Sequence, residues 1–156
     1  MKKLPYREGD VFGVPLDTGG FALGLAARVP PKGKSLLGYF FSTVYPKPPS
    51  IAEIPKLKKE DAIFVAILGD LGLYKGYWPI IGHLDLWESK TWPMPLFVRT
   101  DIISGEQLLV EYADHDPTIT VDERPVGRMK TMDLPEDALW GYGAIEEKMT
   151  DLLSGK

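Results

Sequence analysis

The segment Gly9–Val29 constrains the fold more than any other, because two short apolar runs are joined there by Asp17-Thr18-Gly19-Gly20. Glycine accepts the positive φ that a tight hairpin turn needs, so this turn sends the chain back along itself. The outgoing run, Gly9-Asp10-Val11-Phe12-Gly13-Val14-Pro15-Leu16, is β-branched and aromatic at its centre, and Pro15 places its end at a sheet edge or bulge. In a strand, Phe12 and Val14 point to one side while Val11 and Gly13 point to the other. The return run, Phe21 to Val29, offers Phe21 and Leu23 as cross-strand partners for the Phe12/Val14 face, with the register open. Its small residues, Ala22, Gly24, Ala26 and Ala27, predict the close approach of another element.

The remaining pattern continues in short β segments. Leu36 to Tyr45 predicts a third strand, followed by a proline-rich connection from Pro46 to Pro55 that holds little regular structure. Ala62-Ile63-Phe64-Val65-Ala66-Ile67-Leu68 is a continuous apolar run, as a strand buried on both faces requires. Tyr77 to Gly82, Leu96 to Thr100, Gln107 to Tyr112 and Thr118 to Val121 follow, each bounded by Gly, Pro, Asp or Ser. Near the C-terminus the period changes. Ile145, Met149, Leu152 and Leu153 line one face of a helix, with Glu146 and Glu147 expected in its first turn and Gly155 at its stop. The expected fold is mainly β (α+β): a twisted antiparallel sheet or partly open barrel, with one C-terminal helix packed against it. A single domain spanning residues 1–156 is expected, since 156 residues bury a core without disulfides or metals.

Charge and composition narrow the function. A net charge of −4 argues against a general nucleic-acid binder, which needs clustered Lys and Arg; the one dense basic run, Lys56-Leu57-Lys58-Lys59, is followed at once by Glu60-Asp61. No apolar stretch is long enough to cross a membrane, and Met1 to Glu8 lacks the apolar region of a secretory signal. With no cysteine in the chain, a cytoplasmic location is the expectation, and thiol nucleophiles and thiolate metal sites are excluded.

Two segments resemble one family. Tyr6-x-x-Gly9-Asp10-Val11-Phe12-x-Val14-Pro15-Leu16, followed by Gly19-Gly20-Phe21-Ala22-x-Gly24 and Arg28, is similar to the opening of immunity protein 26. Gly141-Tyr142-Gly143-Ala144-Ile145-Glu146-Glu147 is similar to the family's closing step into a helix, with Gly143 marking the helix start. Between Leu36 and Arg128 no such pattern is evident. The resemblance implies a bacterial protein, encoded beside a polymorphic or contact-dependent toxin, that binds the cognate toxin domain and blocks it. The family label is shared with a phosphotriesterase name, so a small hydrolase acting on organophosphate triesters is the alternative; the resemblance carries no catalytic residue.

The residues give that alternative little to work with. A two-metal hydrolase needs several converging His and carboxylate ligands, and the chain has two histidines, His83 and His115. Asp114-His115-Asp116-Pro117 puts three ligand types together, but neighbours in a strand point to opposite faces, and an acidic turn accounts for the sequence. None of the serines sits in a Gly-x-Ser-x-Gly elbow. Gly69 to Gly76 lacks P-loop spacing and reads as a turn. No catalytic, cofactor or metal residue is therefore assigned.

Two features suit a protein partner instead. Trp87 and Trp92 flank the polar segment Glu88-Ser89-Lys90-Thr91; such rings either complete a core or serve as interface anchors. The stretch Glu106–Glu123 carries Glu111, Asp114, Asp116 and Asp122, which either form a solvated sheet edge or steer a basic toxin surface towards the chain. Neither a nucleic acid nor a membrane is an expected partner, and the oligomeric state is left open.

Overall fold

The computed structural model describes residues 3–155; Met1, Lys2 and Lys156 lie outside them, so the reading of Met1 to Glu8 falls partly outside the described residues. Among the described residues, nine strands form two sheets that do not close into a barrel. In chain order they are β1 (Asp10–Pro15), β2 (Phe21–Arg28), β3 (Ser35–Tyr45), β4 (Phe64–Gly69), β5 (Ile80–His83), β6 (Phe97–Thr100), β7 (Gln107–Ala113), β8 (Asp116–Pro125) and β9 (Leu139–Trp140). The larger sheet runs β5-β1-β2-β3-β4-β9 and the smaller β6-β7-β8. Neighbours are antiparallel except the last pair, where β9 runs parallel to β4. The helices are a single turn, α1 (Leu71–Tyr74), and the C-terminal α2 (Tyr142–Leu153).

The period-2 alternation of β1 to β4 explains the layering. Phe12, Val14, Ala22, Ala26, Phe40 and Leu68 face α2, where they meet the fully buried Ile145 and Met149. Val11, Leu25, Leu37 and Ile67 face the smaller sheet, where they meet Trp92, Phe97 and Val110. The larger sheet is thus covered on both sides at its centre, which is why Phe64–Leu68 carries no polar alternation, whereas Ile63, ahead of β4, is exposed. Large-to-small changes in such a core typically cost about 2–5 kcal/mol each.

Three expectations are corrected. The β1–β2 register pairs Phe12 with Gly24 and Gly13 with Leu23, so Leu23 belongs to the Val11 face rather than the Phe12 face. Gly24 is then the close-packing position: a Cβ there would run into the edge of the Phe12 ring. Helix α2 begins at Tyr142 after Gly141, a residue or two before the expected Gly143 start, which moves Glu146 and Glu147 into the second turn. Glu146 acts through a contact instead, accepting a 2.8 Å hydrogen bond from Nε1 of Trp78, whose ring stacks on Phe12. Strand β8 is longer than Thr118–Val121, while α1 and β9 are too short to show any period.

Candidate functional site

The connections at one edge of the larger sheet enclose a groove of about 650 Å³. One lining segment is 51–57, from the proline-rich connection; the other is 83–92, which follows β5. Ser50 starts the first by directing its backbone N–H and Oγ to Oε1 of Glu53, at 3.1 and 3.0 Å. This folds Ile51–Glu53 into a 3-10 turn and seats Ile51 over Gly82, where a Cβ would lie 2.7 Å from that of Ile51. The second segment is fixed at both ends. Leu84 donates its backbone N–H to Gly9 at 2.9 Å, and Ser89–Thr91 closes a 3-10 turn ahead of Trp92.

The N-terminal motif underlies this groove. Gly9 has φ +91°, and a Cβ on it would meet Cε1 of His83 at 2.6 Å and Cγ of Trp87 at 2.9 Å. Glycine here lets both rings lie directly against the backbone. Asp10, buried, holds Nδ1 of His83 at 3.0 Å and accepts the backbone N–H of Arg7 at 2.9 Å. Tyr6 hydrogen-bonds the buried Asp70 at 2.7 Å; burial, and then this carboxylate, raise the phenol pKa well above its ordinary value.

Arg28 completes the frame. Only 1 % exposed, it donates Nε to the Asp114 carbonyl at 2.5 Å, Nη1 to the carbonyls of Ala27 and Trp92 at 2.7 and 2.9 Å, and Nη2 to that of Ser89 at 3.2 Å. A last contact, 3.3 Å, reaches Oδ1 of Asp114. One guanidinium therefore ties the end of β2 to the wall of the groove and to the β7–β8 turn. Tyr39 closes the same region by donating its hydroxyl to Pro93 at 2.6 Å; burial pushes its pKa up to about 12, with Arg28 pulling the other way.

The residues singled out from sequence are distributed over two places. Trp87 is half-buried and lines the groove. Trp92, at 3 % exposed, belongs mostly to the core, edge-on to Tyr39 and Phe41, yet it also contributes to the groove floor. The acidic residues lie on the smaller sheet. Glu111 and Asp122 share Arg124 at 3.3 and 2.5 Å, Asp114 is tied to Arg28, and Asp116 is buried, accepting the backbone N–H and hydroxyl of Thr118 at 2.8 and 2.6 Å. His115 sits in the β7–β8 turn and His83 at the groove, so the two do not belong to one site. Among the described residues no group of three His or carboxylate side chains is placed to hold a metal ion, and no helix is long and apolar enough to cross a membrane.

Sequence reasoning missed Leu86. It is 96 % exposed at the rim of the groove and holds φ +53°, a conformation that costs a branched side chain steric strain. No local pattern announces it; Asp85-Leu86 carries neither glycine nor asparagine.

No curated protein and no solved structure matches the chain. One family model does, that of immunity protein 26, over residues 7–108. The match includes Gly9, Asp10, Gly24 and Arg28 and extends through both lining segments of the groove, where no pattern was evident from sequence; the Gly141–Glu147 resemblance lies beyond it. With about two thirds of its length matched, and with the motif residues forming the frame beneath the groove, the chain belongs to the immunity protein 26 family.

Proposed function

We propose that this chain is a cytoplasmic immunity protein that binds the cognate domain of a polymorphic or contact-dependent toxin and blocks it. The observation that carries the reading, beside membership of the family, is the groove beside Trp87 with the outward-facing Leu86 at its rim. Concave apolar surface with a half-buried tryptophan is the kind of surface on which protein–protein binding energy concentrates. A leucine left in water gains nothing from the fold, but it gains from being covered by a partner.

The acidic residues act at longer range. Asp114 is exposed (77 % of its side chain) and, with Glu111 and Asp122, gives the smaller sheet a negative surface that accelerates encounter with a basic domain. Arg124 offsets part of this field, and Asp116 serves its own turn. Trp92 supports Trp87 from beneath.

Co-expression with the toxin domain encoded beside the chain tests this reading. The expected result is restored growth and a stable one-to-one complex by size-exclusion chromatography with light scattering. Continued growth inhibition with no complex would overturn it. Turnover of an organophosphate triester by the purified protein, abolished in the His83→Ala variant, would support the hydrolase alternative in its place.

A further inference from the structure

The groove is electrically polarised as well as apolar. Asp85 and Glu88 rise from the 83–92 segment, both exposed, and among the described residues neither makes an ion pair. Lys56, on the other lining segment, is likewise without an ionic partner. His83 is already engaged with Asp10. The two carboxylates thus lie beside Trp87 and Leu86, held in no ion pair among the described residues, with Lys56 on the other lining segment. This differs from the smaller sheet, where Arg99 and Arg124 answer most of the nearby carboxylates.

Leu86 gives this pair a direction. Its backbone is of the kind glycine or asparagine adopts most easily, yet the position holds a leucine almost entirely in solvent. Strained backbone that gains no internal contact points to a contact outside the chain.

We infer that the groove takes an apolar side chain from a segment of the toxin domain that carries a lysine or arginine next to it. The apolar side chain is covered by Leu86 and Trp87, and the adjacent cation faces Asp85 and Glu88. This rests on the toxin-binding reading and adds to it the chemistry of the segment recognised. Pairing a buried anchor with a rim charge separates two jobs: the anchor sets how long the complex lasts, and the carboxylates set how fast it forms and in which orientation.

The test titrates the toxin domain encoded beside the chain against wild-type protein and three variants, following association and dissociation rates at two salt concentrations. Leu86→Gly relieves the strained backbone and removes part of the cover over the toxin's apolar side chain. Its melting temperature should be unchanged or higher, while affinity falls roughly 10- to 100-fold, mostly through faster dissociation. Asp85→Lys/Glu88→Lys should slow association by roughly 10-fold at low salt and flatten its salt dependence. Ile102→Ser/Ile103→Ser, in the distant and fully exposed β6–β7 turn, should bind as wild type does. Wild-type binding with Leu86→Gly and Asp85→Lys/Glu88→Lys both unaffected overturns the groove assignment alone. Loss of binding in Ile102→Ser/Ile103→Ser instead moves the contact to that turn and also overturns it. Absence of any binding by the wild-type protein overturns the toxin-binding reading, and this inference with it.

Discussion

Replacing Arg28 by lysine tests whether one buried cation holds the site together. The guanidinium reaches four carbonyl oxygens and one carboxylate oxygen from a position with 1 % exposure. Lysine keeps the charge but concentrates three donors on one atom, so it cannot span acceptors on three separate segments. At least two buried or half-buried carbonyls lose a charged donor, and hydrogen bonds to charged groups contribute about 1.5–3 kcal/mol each. Partial compensation by the ammonium leaves an expected loss of about 3 kcal/mol, a large share of the roughly 5–15 kcal/mol that stabilises a domain. Urea unfolding should show a lower midpoint with an unchanged slope, and melting should fall by about 6–12 °C. Asp114→Asn is the control. It removes only the 3.3 Å carboxylate contact at an exposed side chain and keeps the carbonyl that takes Nε, so its cost should stay below about 1 kcal/mol. If Arg28→Lys costs no more than Asp114→Asn, the backbone carbonyls are not what Arg28 serves, and its role as the tie between the turns is refuted.

Three further outcomes follow from the same geometry. Gly9→Ala forces a Cβ against His83 and Trp87 at φ +91° and should destabilise the protein by about 1–3 kcal/mol, with a shift in tryptophan fluorescence reporting displacement of Trp87. Tyr39 makes stability fall at alkaline pH: the unfolded chain ionises this phenol near pH 10, the folded chain only at about 12, so stability drops across that window by an amount on the order of 2 kcal/mol. Chemical unfolding from pH 9 to 12 should show a shallower decline in Tyr39→Phe, and an unchanged slope would remove Tyr39 as its source. Asp122→Lys should slow toxin association at low salt by about 2- to 3-fold and leave dissociation unchanged; a change in dissociation instead would place Asp122 in contact with the partner.

What the sequence disclosed depended on the length over which a physical signal accumulates. Two short apolar runs joined by a glycine turn were enough for β1 and β2, and the i, i+4, i+8 spacing of Ile145, Met149 and Leu153 was enough for α2, whose Leu152 is exposed. Their register was not legible, because Phe21-Ala22-Leu23-Gly24 fits the facing strand in either phase until Phe12 is seen to need the space above Gly24. The split into two sheets was hidden for a related reason. Phe97 and Val110 read as ordinary strand positions, and only their packing on Leu25 and Leu37 makes them the far wall of a shared core. At the site, Trp87 and Trp92 were visible by residue type, while Arg28 appeared only as part of a motif. A buried arginine cannot be told from a surface one when its acceptors lie 61 to 86 residues away.

The motif and the groove stand in a definite relation. Gly9, Asp10 and Arg28 lie beneath the groove and act on the rings over Gly9, on His83, and on the carbonyls of Ser89 and Trp92. None of the three lines the groove itself, whose surface comes from 51–57 and 83–92. Backbone carbonyls do not depend on which side chains a segment carries. Arg28 can therefore hold the 83–92 segment in place whatever residues that segment turns outward. Such a division suits a protein that must recognise one particular partner with a shared scaffold. It also predicts where specificity changes are cheapest: at Asp85, Leu86 and Glu88, which are exposed and make no hydrogen bond or ion pair through their side chains among the described residues, rather than at Trp87, whose ring rests on Gly9.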